Sequence, residues 1–119
     1  MNKDINDLTE LFIENALIQG KSTINGDSKR GNKASDNLYK ISIVMKEDRE
    51  LAEEMLDILL CHTEPNVIIW ACGIALDIDY KSIEVENMLK KLAHSNELGI
   101  LSFNAEMILK VREGQGLSD

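Results

Sequence analysis

Hydrophobic positions along the chain recur at helical spacing in about six segments joined by short polar links. The segments "DLTELFIENALIQG" (7–20) and "RELAEEMLDILLCH" (49–62) each place apolar residues at i, i+3 and i+4 on one side and polar residues on the other. No segment keeps the alternation of apolar and polar residues that a half-buried strand shows. The pattern predicts an all-α protein of about six helices.

Capping residues and glycines predict where these helices begin and end. Asp7 is expected to cap the first helix and Asp48 the third, because a short carboxylate can accept a free N–H group of the first turn. Pro65 suits the first turn of the fourth helix, where its missing N–H costs nothing. The glycines of "GQG" (114–116) are expected to end the last helix. The second helix is expected to start within the polar stretch 20–33, at a position that the sequence leaves open.

The fourth helix contains the apolar run 67–76 and is hydrophobic on every side. Such a helix is expected at the centre of a domain, covered by several neighbours. Trp70 lies in line with other apolar residues of this run, so packing in the core is favoured over an exposed binding anchor. In the fifth helix, "KSIEVENMLKKLAH" (81–94), the residues expected to face inward are Ile83, Met88, Leu89 and Leu92.

The second half of the chain contains an internal repeat. The segments "ILLCHTEPNVIIWACGIAL" (58–76) and "KKLAHSNELGILSFNAEMI" (90–108) align without a gap, which pairs His62 with His94 at an offset of 32 residues. This length suits one helical hairpin stacked on another, in which neither hairpin can bury its apolar face alone. The repeat predicts stacked helical hairpins.

The histidines at equivalent positions of the repeat bear on whether His62 binds a metal. His62 lies between Cys61 and Cys72, whereas no thiol lies near His94, so a shared ligand role is disfavoured. Zinc also needs three or four converging ligands. Both imidazoles are expected at helix ends, beside the last carbonyl groups. The two cysteines are expected to be buried, unbridged thiols, with a redox role as the less favoured alternative.

Sequence patterns typical of enzymes are missing from the chain. It has no glycine-rich phosphate-binding motif and no H-E-x-x-H pair. Neither histidine follows a glutamate by three residues, as a di-iron helical bundle requires. We therefore expect no catalytic residue, no metal site and no cofactor, and we interpret the chain as a protein that is not an enzyme.

Length, composition and net charge narrow the functional classes. A chain of 119 residues with 44% hydrophobic residues can bury one core, so 1–119 is expected to form a single domain. A net charge of −8 disfavours binding to nucleic acid, whose backbone would be repelled. The first residues lack a signal-peptide pattern, and the longest apolar run is too short to cross a bilayer. We expect a cytoplasmic protein without membrane contact, with a monomer favoured.

The excess negative charge is concentrated in the middle of the chain. Eleven acidic and two basic residues lie between Glu47 and Glu86, a local balance of −9. A solvated face is the commoner explanation of a charge run, and a divalent-cation site is a weaker third one. Like charges on adjoining helical turns cost stability, however, which favours an acidic docking surface for a basic partner. The predicted partner-binding residues, with Tyr80 as an aromatic anchor, are Glu47, Asp48, Glu50, Glu53, Glu54, Asp57, Asp77, Asp79, Tyr80, Glu84 and Glu86.

The segment "LLCHTEPNVIIWACGIAL" resembles the inter-helix turn and second helix of a HEAT-like repeat, with its leucine pair, histidine, proline and valine followed by small residues. Ile68 is a departure, since HEAT repeats often carry arginine there. The segments "GILSFNAEMILKVREG" and "LTELFIENALIQG" are similar to a family of small bacterial HEAT-like proteins. The resemblance implies a right-handed α-α superhelix of three stacked hairpins. It brings no established catalytic residues, and some proteins of this kind are immunity proteins encoded beside secreted toxins.

These observations lead to three functional hypotheses. The first is a non-catalytic immunity protein that neutralises a basic toxin domain, such as a nuclease, through the acidic surface. The alternative is a regulatory or scaffolding adaptor that binds a cellular protein, in a groove lined by the second helix of each hairpin. An enzyme or a nucleic-acid-binding repeat is the third, and the charge balance argues against the latter.

Overall fold

The computed structural model describes residues 5–117, and these fold into six α-helices without a strand. A short 3₁₀ turn, Asn96–Leu98, precedes the last helix. The all-α prediction is confirmed. In chain order the helices are α1 (Ile5–Asn25), α2 (Ser28–Glu47), α3 (Arg49–Leu59), α4 (Pro65–Asp77), α5 (Ser82–Ala93) and α6 (Ile100–Leu117).

Two short acidic side chains fix the starts of α2 and α3. The Asp48 carboxylate accepts the backbone N–H of Leu51 at 3.2 Å, so its predicted capping role is confirmed. Asp27 does the same for α2 by accepting the N–H of Arg30 at 3.3 Å, which settles the start that the sequence leaves open. Pro65 occupies the first turn of α4, as predicted. Local capping chemistry therefore determines these boundaries.

Two predicted helix ends are wrong. Asp7 does not precede the first helix, because α1 already runs at Ile5 and Asp7 lies inside its first turn. The glycines of 114–116 do not stop α6, which continues to Leu117. A glycine within a helix costs only about 1 kcal/mol relative to alanine, so a glycine pair ends a helix only where the chain must also turn.

Helix α4 lies at the centre of the fold, as its all-round hydrophobicity predicts. It packs against α1, α3, α5 and α6, and Val67, Ala71, Cys72 and Ala75 are fully buried. Its contact with α1 is close at Gly20, where an added Cβ would lie 2.9 Å from Cβ of Asn66. Glycine therefore lets the two backbones approach at this crossing.

Helix α5 buries three of the four residues predicted to face inward, and Val85 takes the place of Ile83. Ile83 is 78% exposed, whereas Val85 and Leu89 are fully buried and Met88 and Leu92 are partly buried. Successive residues turn by about 100° around a helix, which places Val85 in line with Leu89 and Ile83 on the far side. The expectation that Ile83 faces inward is wrong because it breaks this register.

The helices associate unequally. The most extensive packing joins α1 to α2 and α5 to α6, while α3 touches α1, α2 and α4 more lightly. The radius of gyration is 13.9 Å, close to the roughly 13.5 Å of a compact chain of this length. The arrangement as a right-handed HEAT-like superhelix stays a prediction. Within residues 5–117, no helix has the length and hydrophobicity needed to cross a bilayer.

Candidate functional site

The turn between α4 and α5 brings part of the predicted acidic surface together. The Tyr80 hydroxyl donates a hydrogen bond of 2.6 Å to Oδ1 of Asp57 on α3. Lys81 donates to the same oxygen at 3.1 Å, and its ammonium lies 5.3 Å from the centroid of the Tyr80 ring. Asp57, Tyr80 and Lys81 form a cluster, called here the corner cluster, that ties α3 to the turn. Tyr80 is half-buried in this position.

The corner cluster stabilises the charge states of its own members. The hydrogen bond from Tyr80, and then the one from Lys81, lower the pKa of Asp57 below its ordinary value. The same carboxylate raises the pKa of the Tyr80 hydroxyl and that of the Lys81 ammonium. Glu53 contributes to the raised pKa of Tyr80 and Glu84 to that of Lys81, so both carboxylates lie within electrostatic reach of the cluster.

The backbone of this turn is strained at two residues. Asp79 and Lys81 have φ of 58° and 51°, in the left-handed region that usually requires glycine. Asp79 follows the end of α4 in a Schellman arrangement, in which Tyr80 N–H donates to the Ala75 carbonyl at 2.8 Å. Arg49 of α3 donates to the Ile78 carbonyl, and the Ser82 hydroxyl donates to Asp79. Contacts to α3 and α5 thus hold the strained turn in place.

Ion pairs neutralise several of the predicted partner-binding acids. Lys46 lies 2.9 Å from Asp77, and Arg112 lies 3.6 Å from Asp79. Both cations come from outside the segment 47–86. Counting charges along the chain therefore overstates the excess of negative charge around these residues. The acid is nevertheless the more exposed member of each pair, at 58% against 42% for the first and 77% against 37% for the second.

The outward side of α3 carries four carboxylates, and two of them have no cation beside them. Glu50, Glu54 and Asp57 follow one another at i, i+4 and i+7, on the side opposite the buried Met55 and Leu59. Within the described side chains, 5–114, Glu50 and Glu54 form no ion pair, whereas Glu53 pairs with Arg49 at 2.8 Å. This side of α3, with Glu50, Glu53, Glu54 and Asp57, is called here the acidic face.

The remaining predicted partner-binding residues are not joined to the corner cluster by a contact. Glu47 is exposed at the last position of α2, and Asp48 uses its carboxylate to cap α3. Glu84 and Glu86 lie on α5, where they form no ion pair with a described residue. The structure therefore brings Asp57 and Tyr80 into contact, whereas Glu47, Asp48, Glu84 and Glu86 stay separate from them.

His62 does not have the helix-end role predicted for it. Its Nδ1 accepts the backbone N–H of Glu64 at 3.0 Å, just before the first residue of α4. The imidazole acts here as a hydrogen-bond acceptor that shapes the α3–α4 turn, so the predicted contact of the ring with the last carbonyl groups of α3 is wrong for this residue. His94 does have the predicted position, with Nδ1 at 2.7 Å from the Lys90 carbonyl at the end of α5.

The two cysteines have opposite environments. Cys61 is exposed in the α3–α4 turn, which contradicts its predicted burial, because α3 ends at Leu59 and leaves this residue outside the packed stripe. Cys72 is buried on α4 as predicted, and burial raises the pKa of its thiol to about 12. Both thiols are free. No three His, Cys, Asp or Glu side chains of the described part of the chain converge as metal ligands would.

A groove of about 660 Å³ lies between α2, α4 and α6. Its lining combines apolar and aromatic side chains with polar and charged ones. Among the lining residues are Tyr39 of α2, Trp70, Gly73 and Ile74 of α4, and Met107, Ile108 and Val111 of α6. Lys46, Asp77 and Arg112 also line it, so the groove reaches three of the residues in the ion pairs described above.

A hydrogen-bond network fixes the aromatic wall of the groove. Gln19 of α1 accepts hydrogen bonds from Asn66 at 2.8 Å and from the Trp70 indole at 3.2 Å. Asn66 also donates to the Ala16 carbonyl at 2.7 Å. Tyr39 meets the Trp70 ring edge-on, with centroids 5.4 Å apart. Trp70 is thus half-buried: it packs against the core, as predicted, and also forms part of the groove wall.

Comparison of the chain with known protein families, curated proteins and solved structures gives no match. The HEAT-like resemblance therefore stays a prediction that rests on the motif residues. The fold and the two surfaces define the chain more coarsely, as a small all-α protein with an acidic face and a groove of mixed apolar and polar lining.

Proposed function

We propose that this chain is a non-catalytic protein-binding module of the immunity type, which neutralises a basic toxin domain by covering it with an acidic surface. The class of toxin is proposed only from the negative charge of this surface. A nuclease is a suitable target because its active-site groove must attract phosphate, and an acidic surface offers the same sign of charge.

The acidic face of α3 is the observation that carries the proposal. Glu50 and Glu54 project from adjoining turns without a neutralising cation among residues 5–114, and like charges at this spacing destabilise a helix. A basic partner would relieve that repulsion. Exposed charges of this kind mainly accelerate association and select the partner, and they add less to the final affinity.

The test compares two double charge reversals with the same change in net charge. Glu50→Lys with Glu54→Lys alters the acidic face. Glu10→Lys with Glu14→Lys alters two exposed residues of α1 at the same i, i+4 spacing and serves as the control. The tagged chain first identifies a basic toxin domain by co-purification from its native host. Association rates of the purified pair are then measured at low salt.

Reversal on α3 should slow association by at least about tenfold, and reversal on α1 by much less. The difference should shrink as salt is added, since the Debye length falls to about 8 Å at physiological ionic strength. Equal rates for both variants would contradict the assignment of the acidic face. Glu53 and Asp57 are left unchanged because their ion pairs and hydrogen bonds also support the fold.

A second candidate function is a regulatory or scaffolding adaptor, and the groove between α2, α4 and α6 is the observation that favours it. Its volume lies within the roughly 300–1,000 Å³ of sites that bind ligands. The position of the gene separates the candidates, because an immunity gene should adjoin a toxin gene and an adaptor gene need not. Capture of a basic toxin domain supports the first function, and capture of a housekeeping protein supports the second.

A further inference from the structure

We infer that the groove between α2, α4 and α6 is a binding site for a small anionic molecule with a flat, amino-bearing heteroaromatic ring, of the adenine nucleotide class. The inference goes beyond the proposed function and uses a different surface from the acidic face. It is carried by polar groups without partners at the two ends of the groove and by aromatic side chains between them.

A buried oxygen atom at one end of the groove lacks a donor. Asn66 is only 5% exposed. The Trp70 indole can only donate, so the Gln19 atom that it contacts is the carbonyl oxygen Oε1. The Asn66 atom bonded to that oxygen and to the Ala16 carbonyl is then Nδ2, which leaves Oδ1 as an acceptor. Oδ1 accepts no hydrogen bond from a described residue.

This oxygen is open to the groove. Among the described residues, no side-chain nitrogen or oxygen that is sealed from the surface lacks a hydrogen-bond partner. Since Oδ1 of Asn66 has no partner, it is accessible, and the groove is the cavity that Asn66 lines. Asn104 of α6 also lines the groove, and its carboxamide bonds to no described residue. A ligand N–H group can complete the hydrogen bonding at this end.

Two cations, Lys46 and Arg112, line the groove against one acid, Asp77. The ion pair of 2.9 Å between Lys46 and Asp77 neutralises the first cation. Arg112 lies 3.6 Å from Asp79, which is too long for a hydrogen bond, and its guanidinium donates none to a described residue. A guanidinium has five N–H donors in a planar fork that fits a phosphate or a carboxylate. Arg112 therefore offers an anion site.

The two polar ends lie along neighbouring helices that run in the same direction. Ile108 Cδ1 lies 4.0 Å from where a Cβ on Gly73 would be, and Arg112 contacts the turn that follows α4. Asn66 and Asn104 precede these contacts on their helices, so both lie toward the end of the groove away from the guanidinium. The eight residues from Asn104 to Arg112 rise about 12 Å along α6.

Aromatic and apolar side chains line the groove between these ends. Trp70 follows Asn66 by one helical turn, and Tyr39 meets the Trp70 ring edge-on. The Tyr39 side chain is 59% exposed, so a flat ring can stack on it. Ile69 and Ile108 add apolar surface.

The lining therefore selects a ligand with three properties, which are an N–H donor, a flat ring and an anionic group at the far end. An apolar ligand would leave the oxygen of Asn66 and the guanidinium of Arg112 unpaired, and a cationic ligand would be repelled by that guanidinium. Adenosine monophosphate combines the three properties in one elongated molecule. Its amino group can donate to Asn66, and a carboxamide such as that of Asn104 can pair with the edge of an adenine ring.

Trp70 provides the readout, because it is the only tryptophan in the chain and it lines the groove. Titration with adenosine 5′-monophosphate should change its emission with a Kd on the order of 10 μM, as the usual binding free energy per atom of a ligand of this size implies. Adenosine lacks the anion, and purine riboside 5′-monophosphate lacks the amino group. Each should bind at least about tenfold more weakly, since each loses one set of hydrogen bonds.

Variants of the protein locate the site. Arg112→Gln should weaken binding of the monophosphate by at least about tenfold and remove its preference over adenosine. Arg30→Gln makes the same change of charge at an exposed position of α2 outside the groove and should keep both. Circular dichroism confirms that each variant is folded, and glutamine is a good helix former.

Absence of saturable binding of adenosine 5′-monophosphate to the unaltered protein would overturn the inference. Equal binding of adenosine would overturn the anion site, and equal binding of purine riboside 5′-monophosphate would overturn the role of the Asn66 oxygen. Equal affinities of the Arg112→Gln and Arg30→Gln variants would place the ligand outside the groove. Failure of the acidic face is seen separately, as unchanged toxin association in the Glu50→Lys, Glu54→Lys variant.

Discussion

At the scale of single residues, the contact between Gly20 and Asn66 limits what the centre of the fold tolerates. A Cβ on Gly20 would lie 2.9 Å from the Asn66 Cβ, a separation that real Cβ atoms almost never show. Asn66 cannot withdraw easily, because its amide is bonded to the Ala16 carbonyl and to Gln19. The α1–α4 crossing therefore requires a residue without a side chain at position 20.

Gly20→Ala should destabilise the protein, since overpacking costs roughly 1–3 kcal/mol and outweighs the gain in helix propensity. Gly114→Ala is the matched control. It also lies in a helix, but a Cβ there meets nothing within 4 Å, so it should stabilise by about 0.5–1 kcal/mol. Thermal unfolding of both variants checks the opposite signs. A higher Tm for Gly20→Ala would show that the helices separate without cost.

Asp79 allows a second comparison at one residue. Asp79→Gly and Asp79→Ala both lose the contacts to Ser82 and Arg112, and they differ only in how readily the new residue adopts a φ of 58°. The glycine variant should be more stable than the alanine variant by about 1 kcal/mol, as measured by denaturant unfolding. Equal stabilities would mean that the turn changes its conformation in the alanine variant.

At the scale of elements, the corner cluster makes the link between α3 and the α4–α5 turn dependent on pH. The pKa of Asp57 is lowered, so its contribution is present above the ordinary value of 3.8 and is lost as the pH falls through the lower, folded-state pKa. The pKa values of Tyr80 and Lys81 are raised. Their contributions are present below the ordinary values of 10.0 and 10.5 and are lost as the pH rises through the folded-state values.

Tyr80→Phe should move the pKa of Asp57 upward, toward its ordinary value, because the hydroxyl is the largest cause of the lowering. The carboxyl resonance of Asp57, followed by NMR against pH, measures the shift directly. Tyr39→Phe removes a hydroxyl that lies away from the cluster and should leave Asp57 unchanged. An unaltered titration of Asp57 in the Tyr80→Phe variant would show that Lys81 alone sustains the ionised carboxylate.

At the scale of the whole molecule, the features that the sequence predicts are those with local causes. Asp48 and Pro65 act within one turn of their own helices, and the hydrophobicity of α4 is a property of consecutive residues. The groove and the ion pairs are different, because they join residues far apart in the chain. Lys46 reaches Asp77 and Arg112 reaches Asp79 only after the helices pack, so a charge count along the sequence cannot register them. The run of acidic residues on α3 can be read from the sequence, while the groove between α2, α4 and α6 is visible only in three dimensions.

The two thiols differ in exposure, so their reaction with an alkylating reagent can measure how often the core opens. Cys61 lies in the open α3–α4 turn, where an electrophile can reach it in the folded protein. Cys72 is enclosed by the neighbours of α4, and a thiol with a pKa of about 12 contains very little reactive thiolate at neutral pH. Alkylation of Cys72 must wait until α4 separates from its neighbours. The rate at which Cys72 is alkylated therefore reports how often the core opens. The faster alkylation of Cys61 in the same chain gives the reference rate for an exposed thiol.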